Sequence, residues 1–222
     1  MRRNLVPGKI GIDFLDGYIF SEMNDLLMSE GMDASGLYRY YTMRLDGRLG
    51  GILEYEHDLA NYVIEHCQGR RIVEIGAGLG ELPIILALNG MKSAGVEFNE
   101  GRQRAGRRVR ERAVNCFPEV GEHYEFIAGG YPEALVDTAW TGPDVTLLFT
   151  NVIASWDRAR TEAIDAFFPQ VGEVILELRM FGVLRDEEAA RQQLFDEIAR
   201  YAKSAERLPE LSPAMHFARF TF

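Results

Sequence analysis

The sequence predicts an α/β protein built on a mostly parallel sheet with helices on both faces. Three observations predict it. Short runs rich in Val, Ile, Leu and Phe alternate with longer helix-like stretches through most of the chain. One run, residues 71–75, stops at Gly76, Gly78 and Gly80 and passes directly into the apolar stretch 82–88. Strand, glycine turn and helix in succession let a backbone approach a nucleotide-like ligand closely. A further run closes on Gly95-Val96-Glu97, one strand–helix unit later, so a carboxylate ends the next strand.

Residues 1–55 differ from the remainder of the chain. They hold many aromatic and methionine residues, and Ile12, Leu15, Ile19, Met23 and Leu26 recur near helical spacing before Gly31. This segment reads as an N-terminal helical cap, packed on the core or closing as a lid, ahead of a ligand-binding domain at 56–222. Residues 54–67 read as a helix with Leu59, Tyr62, Val63 and His66 on one side. Strands come next at 71–75, 92–97, 123–128, 145–149, 173–178 and 215–222. Helices fall at 81–89, 100–116, 132–136, 157–168 and 186–203. Pro83 sits in the first turn of its helix, where a missing N–H costs nothing. Asp186 can cap the last helix, and Glu187–Arg191 and Asp196–Arg200 are spaced as i,i+4 pairs.

Composition narrows the function. A chain of 222 residues buries a sizeable core without disulfide or metal staples. Its two cysteines, Cys67 and Cys116, show no metal-ligand spacing. No run reaches the roughly 18 apolar residues of a membrane span, and Met1-Arg2-Arg3-Asn4 has no apolar signal core behind it. A cytoplasmic protein without membrane contacts is the expectation. The net charge of -10 speaks against phosphate-driven nucleic-acid binding. The arginines of 100–116 spread round a narrow stripe of Ala105, Val109, Ala113 and Cys116 and read as a solvated face. Arg102 is the exception, because it points toward Glu97.

The glycine turn is not built for phosphate. A dinucleotide fingerprint requires glycine where this chain has Glu81, and a carboxylate at a helix start repels a pyrophosphate. Glu74 interrupts an apolar strand two residues before the turn and suits a cation. Glu97 suits the two hydroxyls of a ribose. S-adenosylmethionine fits a site for a ribose, a cationic centre and no phosphate.

The run Glu74-Ile75-Gly76-Ala77-Gly78-Leu79-Gly80, with Gly95-Val96-Glu97 after it, resembles the class I S-adenosylmethionine-dependent methyltransferases. The resemblance spans residues 54–222 in element order. It implies a Rossmann-like three-layer sandwich with a mostly parallel seven-stranded sheet, its final strand antiparallel, behind the N-terminal helical extension. It also implies a cofactor site: Glu74 near the amino-acid end, Gly76, Ala77, Gly78 and Gly80 beneath the cofactor, Glu97 on the ribose, Phe98 on the adenine, and Gly129 and Gly130 at the adenine edge. The chain departs from the family in having no Asp or Asn after the third strand. Asn151, just past the fourth strand, would face the methyl donor and the acceptor.

Methyl transfer needs a base only where the nucleophile must lose a proton. His57 or Glu56 can supply one, and Tyr41 with Tyr40 can roof the pocket; Trp156 can wall it. The expected partner is a small-molecule methyl acceptor, with a homodimer possible. Two other readings remain open. One is a protein lysine methyltransferase, distantly similar to the non-SET type, although Thr150 replaces the first of that family's paired asparagines. The other is a non-catalytic module that binds the cofactor.

Overall fold

The computed structural model describes residues 9–30, 54–150, 166–178, 188–211 and 216–222. Seven strands form one sheet: β1 Arg71–Ile75, β2 Ser93–Glu97, β3 Tyr124–Ala128, β4 Gly142–Phe149, β5 Val171–Glu177, β6 Ser204–Arg207 and β7 Phe217–Thr221. Their order is β3-β2-β1-β4-β5-β7-β6. The first five run parallel, and β7 lies antiparallel between β5 and β6. Around them lie α1 Lys9–Glu30, α2 Glu54–His66, α3 Glu81–Leu88, α4 Glu100–Cys116, α5 Glu119–His123 and α6 Glu188–Ala199. Strand order reverses between β1 and β4, where an open α/β sheet forms its ligand crevice.

Alternation along the strands builds two cores. Ile72, Leu148, Ile175 and Phe217 face one way and pack with α1 to α4. Val73, Val96, Leu147, Phe149, Leu176 and Phe220 face the other way, toward Leu194 and Ile198 of α6. Tyr131 stands edge-on to Phe149 and Phe167 there, with ring centres 5.2 and 5.3 Å apart. α3 is buried along its whole length, which explains why its sequence is apolar without periodicity.

The antiparallel β7 and the expected sheet size are both present. The seventh strand, β6, is one the sequence does not announce: Ser204-Ala205-Glu206-Arg207 pairs only with β7 and alternates exposed with half-buried residues. The expected helix 186–203 accordingly stops short, and a strand begins at Ser204; residues 186 and 187 lie outside the described residues. Asp196 accepts from Gln192 Nε2 at 2.7 Å, and Arg191 pairs with Glu188. Only residues 166–168 of the helix expected at 157–168 are described. In α2 and just past its end the buried apolar residues are Leu59, Ala60, Val63 and Cys67, and His66 is exposed. Cys116 is likewise exposed rather than part of the buried stripe of α4.

α1 packs against α4, burying Leu15, Ile19 and Met23. Arg104, Arg107, Arg108 and Arg112 are exposed, as a solvated face requires, and the contact with α1 gives some of them partners. Arg108 Nη2 lies 2.7 Å from Glu22 of α1, and the Arg112 guanidinium lies 5.7 Å from the Tyr18 ring centre. Arg110 donates from Nε and Nη2 to the Tyr124 carbonyl at 3.1 and 2.9 Å. The Arg108 side chain is 48% exposed, so Glu22→Ala is expected to cost no more than about 1 kcal/mol in a denaturant titration.

The two cysteines differ sharply. Burial, reinforced by Glu173, pushes the Cys67 thiol up to about 12, while Cys116 is exposed. A maleimide is expected to modify one thiol of the native protein at neutral pH, and peptide mapping should place it at Cys116.

Candidate functional site

The site forms where β1, β2 and β4 end. After Ile75 the chain turns through Gly76, Gly78 and Gly80, with φ values of 73°, 58° and 88°. The Val96 carbonyl of β2 accepts from both Gly76 N–H and Ala77 N–H, at 2.9 and 3.0 Å. This clamps the turn onto its neighbour strand. A Cβ on Gly80 would lie 2.4 Å from the Tyr124 hydroxyl oxygen, and one on Gly95 would lie 2.8 Å from Ala77 Cβ. Both positions need glycine for close approach, and Gly80 needs it for backbone shape as well.

Glu81 accounts for the loss of phosphate character in this turn. Its Oε2 accepts from Leu79 N–H at 3.2 Å. A turn amide that a phosphate would use therefore already has a carboxylate on it.

Glu97 closes β2 and is fully buried. Its Oε2 accepts from Gly78 N–H at 3.0 Å and its Oε1 from Asn99 N–H at 2.8 Å. Arg102 Nη1 stands 3.8 Å away, as its place in the sequence predicts. Burial raises the Glu97 pKa, while Arg102 and the amide donors oppose that rise. Asn99 caps α4 by accepting from Arg102 N–H at 2.9 Å. Phe98, between Glu97 and this cap, is 58% exposed. Gly129 donates its N–H to the Glu97 carbonyl at 2.9 Å, and the Gly130 carbonyl accepts from Ala134 N–H at 2.8 Å. Both glycines thus lie beside the end of β2, but the Gly129 amide is already engaged there.

Glu74 is buried as well, at 6% exposure. Its Oε1 accepts from the Thr150 hydroxyl at 2.6 Å. Burial pushes its pKa well above the usual carboxylate range, and Glu56, Glu81 and Glu97 push the same way. Of the pair considered as a base, Glu56 is the one turned inward, at 7% exposure; His57 is half-buried in the same turn. Asn151, Tyr40, Tyr41 and Trp156 lie outside the described residues.

Thr150 is the contact that sequence reasoning missed, since it registered only as the replacement of an asparagine. Register supplies the signal: Glu74 pairs with Leu148, so a residue two further on shares its face. Tyr124 was also missed. It begins β3, yet its hydroxyl reaches Gly80 of the glycine turn.

Among the described residues no group of three or more His, Cys, Asp or Glu side chains is arranged to hold a metal ion, and no helix is long and apolar enough to cross a membrane. A cavity of about 580 Å³ opens beside the amino end of β3, lined in part by Lys92, Arg107, His123 and Trp140. It is not part of the carboxyl-end site.

No family model matches the chain, and no curated protein matches it in sequence. Solved structures do share its architecture. The methyltransferase domain of bacterial CtHen1-CN aligns with a TM-score of 0.57 at 14% identity, covering 76% of this chain and 100% of that one. The glycopeptide N-methyltransferase MtfA, complexed with sinefungin, aligns at 0.56 and 12%, covering 77% and 86%. A putative O-methyltransferase from Klebsiella pneumoniae aligns at 0.56 and 11%, covering 97% of this chain and 91% of that one. The fold is that of the class I S-adenosylmethionine-dependent methyltransferases.

Proposed function

We propose that this protein is an S-adenosylmethionine-dependent methyltransferase acting on a small-molecule acceptor by in-line displacement. One observation carries the reading: a glycine turn whose Leu79 amide is held by Glu81 stands next to a fully buried Glu97 at the neighbouring strand end. A ligand seated there meets carboxylates suited to hydroxyls and to a cation, and a turn ill suited to a diphosphate.

The residues fit the cofactor. Glu97 accepts the Gly78 and Asn99 N–H groups, one on each oxygen, with the Phe98 amide and Arg102 beside it; a carboxylate offers about four lone-pair sites, which leaves acceptor capacity toward a ribose. The exposed Phe98 ring offers a face to adenine. The turn from Gly76 to Gly80 would pass beneath the cofactor, with Glu74 toward its cationic amino-acid end. When bound, S-adenosylmethionine supplies a methyl group already activated on a sulfonium, so the protein's work is to orient the acceptor and exclude water. Asn151 and Tyr41 are the proposed acceptor-side residues, with His57 or its neighbour Glu56 to take a proton where the acceptor carries one. The net charge of -10 favours neutral or cationic acceptors over polyanions.

Calorimetry with S-adenosylmethionine tests the reading. Saturable binding is expected, and absence of heat at millimolar ligand would overturn the assignment. A one-methyl mass gain among small metabolites would then support the acceptor class, a gain on peptides would redirect it, and binding with no transfer to any pool would point to a non-catalytic module.

A further inference from the structure

Glu74 is a carboxyl group with an unusual set of neighbours. From α2 comes Glu56, from the start of α3 Glu81, from β2 Glu97, and from β3 the Tyr124 ring. Its carboxyl accepts a hydrogen bond from the Thr150 hydroxyl at 2.6 Å. Arg102 pairs with Glu97, and the side chains that act most strongly on Glu74 are three acids and a hydroxyl. Acidic groups therefore converge on a buried carboxyl. Such an arrangement is costly unless a proton or an organic cation completes it.

A second, independent feature points the same way. Tyr124 is 2% exposed, and its hydroxyl has no hydrogen-bond partner. It projects between Gly80 and Gly95, where added Cβ atoms would stand 2.4 and 3.1 Å from its oxygen. Gly95 is the register partner of Glu74, so the orphan hydroxyl is aimed at the same place. Burial leads, and Glu74 and Glu81 add to it, in holding that phenol in its neutral form.

We infer that Glu74 is an exchangeable contact for an organic cation: a proton occupies the carboxyl when the cation is absent and passes to solvent when the cationic amino-acid end of the methyl donor enters, with Thr150 holding the carboxyl in place. This rests on the proposed function. No bond other than O–H is made or broken, and the proton released goes to buffer. Thr150 is a positioning residue. Its hydroxyl donates to the oxygen that carries charge after exchange, so it favours the ionised form. Because the bound state holds one proton fewer, affinity for S-adenosylmethionine rises with pH across the window between the carboxyl's bound and free titrations, by up to about tenfold per pH unit.

Two measurements test this. Infrared difference spectra of the ligand-free protein at neutral pH, wild type against Glu74→Gln, are expected to show a protonated-carboxyl band belonging to Glu74. Calorimetry with S-adenosylmethionine in phosphate and in Tris, whose ionisation enthalpies differ, is expected to show release of up to one proton per ligand by wild type and none by Glu74→Gln. Thr150→Val removes a donor that favours the ionised form, so it should move the pH window of the affinity upward, and Thr150→Ser should return it. Absence of the infrared band overturns the inference whatever the ligand does. Binding without proton release overturns the exchange alone, whereas no binding at all overturns the proposed function and the exchange with it.

Discussion

Glu97→Ala is expected to weaken S-adenosylmethionine binding by about 3–6 kcal/mol, roughly 150- to 25,000-fold. Two charge-assisted hydrogen bonds to the ribose would be lost, each worth about 1.5–3 kcal/mol when a charged group takes part. The alanine also strips the acceptor from Gly78 N–H and Asn99 N–H and the anion from Arg102. Part of the loss would therefore come from a loosened turn. Glu97→Gln separates the contributions, because it keeps the shape and one acceptor oxygen but removes the charge. It is expected to fall between wild type and Glu97→Ala in affinity while melting close to wild type. Calorimetry at fixed pH reads both variants; unchanged affinity in Glu97→Ala would mean that the ribose does not lie on this carboxylate.

Much of the fold was legible because parallel sheets write themselves into sequence. Strands buried on both faces appear as mostly apolar runs, as in Val145 to Phe149 with Thr146 as its one polar residue, and the glycine turn comes directly after another such run. The site was legible where a polar residue stood against such a background: Glu74 within β1 and Glu97 at the end of β2. What stayed hidden has physical reasons. β6 is a four-residue edge strand with no buried residue, so neither hydrophobicity nor alternation marks it. α5 is a five-residue helix with one buried side chain, Val120. The partners of Arg108, Arg110 and Arg112 stayed hidden because Glu22, the Tyr124 carbonyl and Tyr18 are distant in sequence. Thr150 reaches Glu74 from the neighbouring strand and Tyr124 reaches the glycine turn from β3, two strands away, and a reading along the chain does not bring them together.

Glu173→Ala is expected to cost about 3–5 kcal/mol of stability, the usual consequence of removing one partner from a buried ion pair. Glu173 is 2% exposed in β5. Its Oε1 accepts from the Thr146 hydroxyl at 3.0 Å and from Cys67 Sγ at 3.2 Å. Its Oε2 accepts from Arg219 Nε at 2.7 Å, and Arg70 Nε stands 3.9 Å away while donating to Thr146 at 2.6 Å. One carboxylate thus ties the end of α2, β4, β5 and β7 together on the sheet face opposite α6. Alanine would leave Arg219 and Arg70 partly buried beside unpaired donors, and Arg219 keeps a second acid, Glu206, at 3.4 Å. In a domain of this size the midpoint of thermal unfolding should fall by roughly 6–20 °C. Glu173→Gln, which retains an acceptor oxygen, should lose less. Cofactor affinity of the folded protein should not change, because Glu173 pairs with Thr146 near the amino end of the sheet, away from the turn and Glu97. Cys67 provides a second readout. Burial is the leading cause of its unreactive thiol, so maleimide should reach it only when the fold opens. Faster labelling in step with the lost stability would show the cluster acting as one unit. A wild-type melting point in Glu173→Ala would show that these bonds add nothing to the fold.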